Sequence, residues 1–428
     1  MTTLQSLTGS RDLLRRHLAV ALPEADVTRY VPLLHRLGHE IHVAPERPVF
    51  LASAPGRTEL AGNHTDHNQG RVLAASVQLD TIAAVAPRED MRVTLASSGF
   101  PLVELDLGDL TEHETERETT TALVRGVGAA LKEGGWEIGG FDAAVSSLVA
   151  AGSGLSSSAS VEVLVGTILD HVWNSGEIGP TRIARAGKVA ENRYFGKPSG
   201  LMDQVACATG GVVSIDFKDN DNPIIERLDV NFADAGLSLL VVHTGAGHAD
   251  LTHEYAAIPG DMGAIARQFG ATVLAEVPEE DVMADLGQLR EALGDRAVAR
   301  ALHFYGETAR VAQMATALKE QNFDRYLELM SDSGRSSGMY LQNCAPASTP
   351  DDQAVVIALA LTEWFLISAG LRIGGDAACR VHGGGFAGTI QVLLPTHVVA
   401  AYREFIESKL GKRALTELEI RSTGAIAW

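Results

Sequence analysis

The part of the sequence that says most about the fold is the stretch Ala151-Gly152-Ser153-Gly154-Leu155-Ser156-Ser157-Ser158-Ala159-Ser160. A strand pattern at 140–148 precedes it, and an apolar stretch at 159–172, long enough for a buried helix, follows it. Glycines ahead of a helix let the backbone turn its N–H groups toward an anion, and serine hydroxyls can bind phosphate oxygens or Mg²⁺. This context favours a phosphate-binding loop over a flexible Gly/Ser linker. The spacing fits neither the Walker pattern nor the dinucleotide-binding glycine pattern.

The composition is that of a globular protein with an excess of acidic residues. The chain has 428 residues, of which 46% are hydrophobic and 21% charged, and its formal net charge is −19. Such a charge repels nucleic-acid backbones and anionic membranes, so neither is expected as a partner. The three cysteines form no CxxC pair and do not suggest a disulfide framework. With no signal-peptide pattern and no charge-free membrane span, the sequence predicts a soluble, cytoplasmic protein.

Strand and helix patterns occur in both halves of the chain and predict an α+β architecture of two lobes with a cleft between them. Strands are predicted at 47–53, 91–107, 140–148, 212–217, 237–242 and 381–394, with two neighbouring strands at 70–85 and a loop at 54–57. Helices are predicted over most of the first forty residues, 119–132, 159–172, 181–195, most of 255–371 and 398–409. A loop-like segment at 219–222 divides the chain into lobes of residues 1–222 and 223–428.

Three further stretches have polar side chains or glycines at high density. Residues 54–70 (APGRTELAGNHTDHNQG) follow a predicted strand, and their carboxylate, amide and imidazole groups suit the hydroxyls of a sugar. A metal site on His64, Asp66 and His67, or a plain polar surface turn, are alternatives for this segment. Residues 198–204 (PSGLMDQ) place an aspartate after a glycine, where a cap or turn residue is the ordinary interpretation. Residues 382–388 (HGGGFAG) are typical of a tight hairpin.

Together and in this order, the four stretches resemble the motifs of the GHMP small-molecule kinases and, among them, the galactokinases. Residues 54–70 follow the family's APGR-x-N-x-(I/L)-GEHTDY segment, 154–159 its GLSSSA loop, 200–204 its GxMDQ, and 383–388 its GGGFGG with one glycine replaced. The resemblance implies the two-lobed GHMP kinase fold, with a ribosomal-protein-like N-terminal lobe and a ferredoxin-like C-terminal lobe. It also implies an enzyme that phosphorylates galactose, or a closely related sugar, at the anomeric hydroxyl with ATP and Mg²⁺.

The resemblance also assigns roles to individual residues. Asp203 is expected to accept or orient the proton of the attacking hydroxyl, and Arg57 to keep Asp203 ionised, which makes it a weak base. Ser158 and Glu191 match the family's Mg²⁺-binding residues. The positions that match sugar contacts are Asn63, His64, Asp66, Gly200 and Tyr255. The positions expected to line the phosphates are Gly152, Gly154, Ser156, Ser157 and Ser158.

Besides the glycine replaced in 383–388, the sequence departs from the family pattern in two further motifs. The family's asparagine after Arg-x is Glu59 here, and the glutamate of its GEHTDY is Asn63. Loss of that carboxylate raises the alternative that the acceptor is a modified C4-axial sugar, such as galacturonate or an amino or N-acetyl galactose. The usual Trp-x-x-Tyr on the nucleotide side has no match around 120–127. A third hypothesis is a sensor that binds sugar and nucleotide without catalysis, although the phosphate loop and Asp203 are both intact.

Overall fold

The computed structural model describes residues 2–150, 152, 154–197, 199–220, 222–247 and 251–428 of the chain. Its strands are β1 (Phe50–Ala61), β2 (Arg71–Pro87), β3 (Arg92–Ser97), β4 (Val103–Asp106), β5 (Phe141–Ser147), β6 (Val212–Asp216), β7 (Ile224–Leu228), β8 (Leu237–His243), β9 (Ala378–His382), β10 (Thr389–Pro395), β11 (Leu415–Leu418) and β12 (Ile426–Ala427). Its α-helices are α1 (Leu4–Gly9), α2 (Arg11–Ala21), α3 (Val27–His39), α4 (Thr120–Glu133), α5 (Ser157–Trp173), α6 (Pro180–Val189), α7 (Met202–Thr209), α8 (Thr252–Gln268), α9 (Glu279–Ala284), α10 (Leu286–Leu293), α11 (Asp295–Lys319), α12 (Phe323–Ser336), α13 (Ala354–Ser368) and α14 (Val399–Leu410).

The strands of the described residues form two sheets, and the larger has eight strands. Six of them lie in the order β12-β1-β2-β5-β3-β4, while β6 pairs with β2 and β7 pairs with β6. One face of this sheet packs against α4 to α7, and the other face packs against the N-terminal helices α1 to α3. The end of β1, at Leu60 and Ala61, packs instead with α11, α12 and β8. Together these layers bury β1 along its whole length.

The smaller sheet has four antiparallel strands in the order β11-β8-β10-β9. Successive residues of β8 point to opposite faces, so Leu239 and Val241 pack with α11 and α12, while Leu240 and Val242 pack with α13 and α14. Among the helices of the described residues, none combines the length and the apolar composition needed to cross a membrane.

Most of the predicted elements are present, but two predictions around β1 and β2 are wrong. The two neighbouring strands predicted at 70–85 are one strand of 17 residues, β2. Its first part, Arg71–Ala75, pairs with β6, and its last part, Thr81–Pro87, pairs with β5, so one strand has two neighbours on the same side. The loop predicted at 54–57 belongs to β1, where a register shift between Pro55 and Arg57 accommodates the proline.

The connection at 219–222 joins β6 to β7, and these two strands pair with each other. The division of the chain into lobes at residue 222 stays a prediction. The mixed helix-and-sheet, two-lobed class itself is confirmed by the comparisons reported below. Four chain segments meet at one place between the sheets: the second half of β1 with the residues just after it, the residues leading into α5, the start of α7 and the β9–β10 turn.

Candidate active site

Arg57 and Asp203 form a two-armed ion pair at the centre of this meeting place. Arg57 lies on β1 just past its register shift, and Asp203 lies in the first turn of α7. Arg57 Nε donates to Asp203 Oδ1 and Nη2 to Oδ2, both over 2.7 Å, a geometry that gives strong and oriented pairing. Burial raises the pKa of Asp203, but the Arg57 charge and hydrogen bonds outweigh it, so the pKa lies below its ordinary value. Asp203 is therefore ionised at neutral pH.

The serine-rich stretch joins this ion pair to the start of α5. Arg57 donates to the Gly154 carbonyl through Nη1, and Ser156 Oγ donates to Asp203 Oδ2. Ser156 has a φ of 56°, and α5 begins directly after it at Ser157. The positive end of the α5 dipole therefore faces the same place as Asp203. Gly152 and Gly154 both have positive φ, whereas Ala151 and Ser153 of the predicted loop lie outside the described residues.

Ser158 and Glu191, the predicted Mg²⁺ residues, are hydrogen-bonded to each other. Ser158 Oγ donates to Glu191 Oε1 over 2.9 Å, and Glu191 lies in a π-helical segment (Ala190–Phe195) that continues α6. Lys197 Nζ also donates to Oε1, over 3.0 Å. A hydroxyl and a carboxylate are hard oxygen donors, and Mg²⁺ typically takes one or two such groups and completes its shell with water and phosphate oxygens. The donor set therefore fits Mg²⁺ in combination with a nucleotide.

Three contacts tie the predicted sugar residues to neighbouring segments: Gly200 lies against Asp66, and His64 and Tyr255 each hydrogen-bond the β9–β10 turn. A Cβ on Gly200 would lie 1.8 Å from Asp66 Oδ2, so a larger residue at position 200 would displace the Asp66 carboxylate. His64 Nε2 hydrogen-bonds the Gly384 carbonyl over 2.8 Å, and Tyr255 donates to the Gly385 carbonyl over 3.0 Å. The β9–β10 turn is thus bound to two of the predicted sugar residues.

Asn63, the fifth predicted sugar residue, faces the protein interior. Its side chain is fully buried, and Nδ2 donates to the Gly383 carbonyl over 2.6 Å. The residue before it, Gly62, has a φ of 95° and donates its N–H to Glu307 on α11 over 3.0 Å. A buried carboxylate on α11 thereby holds the backbone in the middle of residues 54–70, which we call the sugar segment. The sugar-contact role of Asn63 stays a prediction.

The alternative of a metal site on His64, Asp66 and His67 receives no support. Among the described residues there is no group of three or more His, Cys, Asp or Glu side chains arranged to hold a metal ion. His64 directs Nε2 to a backbone carbonyl, and burial lowers its pKa to about 4, so it is a neutral imidazole at pH 7.

Several residues of the site escaped the sequence analysis. Gln204, although inside a quoted motif, received no role, yet its Nε2 bridges Glu191 Oε2 (3.0 Å) and Glu162 Oε2 (2.9 Å). Arg380 lies on β9, three residues before the first glycine of the turn, Gly383, and this proximity to the turn was the available signal. Asn343 contacts the same turn from a distant part of the chain and carries no local signal at all.

Comparisons with known proteins identify the family of the chain. The galactokinase galactose-binding signature matches residues 39–87, and the GHMP kinase N-terminal domain matches residues 122–211. A galactokinase from Streptomyces coelicolor is 32% identical over 376 residues, which cover 86% of this chain and 90% of that protein. Both matched regions contain motifs of the site, the sugar segment in the first and the phosphate loop in the second.

Solved structures give the same picture of the fold. A Lactococcus lactis galactokinase complexed with galactose has a TM-score of 0.73 and 24% identity, over 97% of this chain and 98% of that one. A D-glycero-D-manno-heptose 1-phosphate kinase from Bacteroides thetaiotaomicron has a TM-score of 0.59 and 16% identity, over 89% and 99%. The fold is that of the GHMP kinases, and their N-terminal domain model matches the region that contains the serine-rich stretch. Within that class, the chain belongs to the galactokinase family.

Proposed function

We propose that this enzyme transfers the terminal phosphoryl group of ATP to the C1 hydroxyl of galactose, giving galactose 1-phosphate and ADP. The observation that carries the proposal is the cluster of Arg57, Asp203 and Ser156, which joins the sugar segment to the start of α5. The Arg57–Asp203 ion pair therefore lies where the proposed sugar side and the proposed phosphate side of the site meet. The chain's membership of the galactokinase family supports galactose as the acceptor.

Asp203 is the proposed partner of the attacking hydroxyl. Because its pKa lies below the ordinary value, it is a weak base, and it accepts the hydroxyl's hydrogen bond mainly to aim the oxygen at the phosphorus. Arg57 holds the carboxylate in place and adds positive charge beside the loop that binds the phosphates. Phosphoryl transfer depends mostly on such positioning and charge stabilisation, so a strong base is not required.

The phosphates are proposed to lie against Gly152, Gly154 and Ser156–Ser158 at the start of α5, where backbone N–H groups and the helix dipole favour an anion. Ser158 and Glu191 would hold Mg²⁺, which neutralises charge on the phosphates when bound. Lys197, ion-paired with Glu191, adds a further positive charge at this end of the site.

The sugar is proposed to contact His64, Asp66, Gly200 and Tyr255. The Nε2–H of His64 is used by the Gly384 carbonyl, so its Nδ1 is left as an acceptor for a sugar hydroxyl. Asp66 supplies carboxylate oxygens, the usual partners of vicinal hydroxyls. These neutral and acidic groups suit an uncharged hexose better than a sugar acid.

The test is a coupled assay of ADP formation with ATP and Mg²⁺ on galactose, glucose, galacturonate and N-acetylgalactosamine. We expect the highest kcat/KM with galactose, and loss of turnover when Mg²⁺ is removed with a chelator. The matched control is the exposed variant Glu320→Gln, which should behave as the wild type. Turnover of galacturonate or N-acetylgalactosamine above galactose would overturn the assignment of the acceptor, and absence of turnover with all four sugars would favour the non-catalytic sensor.

We also propose that the enzyme works in the cytoplasm, where ATP is available. Its three cysteines, Cys207, Cys344 and Cys379, are free and buried, as suits a reducing compartment. The proposed partners are the two small-molecule substrates, with no nucleic acid and no membrane.

A further inference from the structure

Two departures from the galactokinase motif lie in direct contact with each other. Where the motif has an asparagine and, four residues later, a glutamate, this chain has Glu59 and then Asn63, so the acid and the amide have changed places. Asn63 Nδ2 donates to Glu59 Oε1 over 3.2 Å. Both side chains are buried, with exposed fractions of 4% for Glu59 and 0% for Asn63. Two substitutions that look independent in the sequence are therefore one pair in the structure.

The carboxylate at its new position has its own counter-charge. Arg380 on β9 is fully buried and forms an ion pair with Glu59 through Nη2. The remaining nitrogens of Arg380 donate to the Leu60 carbonyl over 2.8 Å and to the Val381 carbonyl over 3.0 Å. A buried ion pair whose other donors are satisfied is tolerated, whereas loss of one partner would leave an uncompensated buried charge.

The amide at residue 63 has no hydrogen-bonding capacity left for a ligand. Its two N–H groups donate to Glu59 and to the Gly383 carbonyl. Its oxygen accepts from Asn343 Nδ2 over 2.7 Å and from Ser337 Oγ over 3.4 Å. A side-chain amide offers two donors and two acceptor sites, and all four are used here by the protein.

The same contacts hold the turn between β9 and β10. The Gly383 carbonyl accepts from Asn63, and the Gly384 carbonyl accepts from His64 and, over 3.1 Å, from Asn343. Tyr255 donates to the next carbonyl, that of Gly385. The pair thus fixes a turn whose other contacts orient two of the proposed sugar residues.

We propose that Glu59 and Asn63 are an exchanged acid–amide pair that positions the β9–β10 turn, with His64 and Tyr255, and that Asn63 makes no contact with the sugar. The inference rests on the proposed function for the identity of the substrate. It follows that the loss of the motif's glutamate does not open the site to uronates, because the charge has moved into an internal ion pair with Arg380.

An isosteric double-mutant cycle tests the exchange. The variants are Glu59→Gln, Asn63→Asp and the double variant, which puts the amide first and the acid second as in the motif. Each single variant leaves the pair with no carboxylate or with two, so we expect a large fall in thermal stability and in kcat/KM for galactose. If the two sites were independent, the effects of the single variants on the unfolding equilibrium constant would multiply. We expect the unfolding equilibrium constant of the double variant to be at least about tenfold smaller than that product. The exposed variant Glu320→Gln controls for effects of a Glu-to-Gln substitution that do not involve the pair.

A double variant that is no more stable than the product of the single effects predicts, or that alone fails to fold, would overturn the exchange. The unfolding measurements of this cycle do not depend on turnover. They therefore test the acid–amide exchange even if galactose is not the substrate.

A second variant, Asn63→Ala, separates positioning from sugar contact. A positioning role lowers kcat/KM for galactose and galacturonate in parallel, so their ratio stays within about threefold of the wild type. A change of about tenfold or more in that ratio, with stability retained, would show that residue 63 contacts the sugar and would overturn the proposal.

Discussion

At the scale of single residues, Asp203 provides the most direct test of the mechanism. Asp203→Asn keeps the shape of the side chain but removes the charge that Arg57 holds and the oxygen that would accept the hydroxyl proton. We expect kcat to fall by about 10²- to 10⁴-fold while KM for galactose changes little. The measurement is steady-state kinetics together with galactose binding by calorimetry.

The pH dependence of the wild type provides a companion measurement. Because the pKa of Asp203 lies below its ordinary value, the carboxylate stays ionised from about pH 8 down to about pH 5. We therefore expect kcat/KM to show no inflection from this group over that range. An Asp203→Asn enzyme with kcat close to the wild type would remove the residue from the mechanism.

Glu162 gives a second prediction at this scale. It is fully buried on α5, its carboxyl accepts from Gln204, and burial together with the nearby Glu191 raises its pKa well above the ordinary value. A carboxyl with a raised folded-state pKa contributes its full stability below about pH 4.3 and loses it as pH rises toward the folded-state pKa. Glu162→Gln has no such loss, so its melting temperature should rise relative to the wild type between about pH 4.5 and pH 8.

The measurement for Glu162 is a series of thermal melts across that range for both proteins. The exposed variant Glu320→Gln should track the wild type at every pH. A constant or shrinking difference between Glu162→Gln and the wild type would mean that Glu162 is ionised in the folded protein.

At the scale of elements, the segment leading into α7 depends on a close approach to the sugar segment. Gly200→Ala would place a methyl group 1.8 Å from Asp66 Oδ2, so the carboxylate must move. We expect KM for galactose to rise about tenfold or more with a smaller change in KM for ATP, since Asp66 belongs to the sugar side. Gly287→Ala is the matched control, because a Cβ there meets nothing within 4 Å. Equal effects on both substrates would contradict the assignment.

The elements themselves were largely predictable, because periodicity is a local property. The helix after the serine stretch and the strands around the glycine turn followed from the residues that form them. The continuity of β2 did not, because its two ends are distinguished only by their partners β6 and β5, which lie far along the chain. The pairing of Arg57 with Asp203 could be predicted from the resemblance to the family motifs. The contact of Asn343 with the glycine turn could not be predicted, since 41 residues separate Asn343 from Gly384 and nothing in the sequence around Asn343 marks it.

At the scale of the whole molecule, a buried charge cluster joins the two ends of the chain. Asp80 on β2 accepts from Arg421, over 3.0 Å, and from Arg29 on α3, over 2.5 Å. Ser53 on β1 donates to the same carboxylate and accepts from Arg421. Asp80 and Arg421 are each about 95% buried, so the N-terminal helices, the central sheet and the segment after β11 share one ion pair. The cluster lies outside the set of residues proposed to contact substrate.

Asp80→Asn therefore separates stability from catalysis. Removing the carboxylate leaves the Arg421 guanidinium buried beside a neutral amide, which should lower the free energy of unfolding by about 3 kcal/mol. At a temperature where the variant remains folded, kcat/KM for galactose should stay within about threefold of the wild type, because no proposed substrate contact changes. Urea unfolding and steady-state kinetics measure the two quantities, with the exposed Asp351→Asn as control. A variant of full stability but impaired turnover would mean that this cluster acts on the active site rather than holding the layers of the fold together.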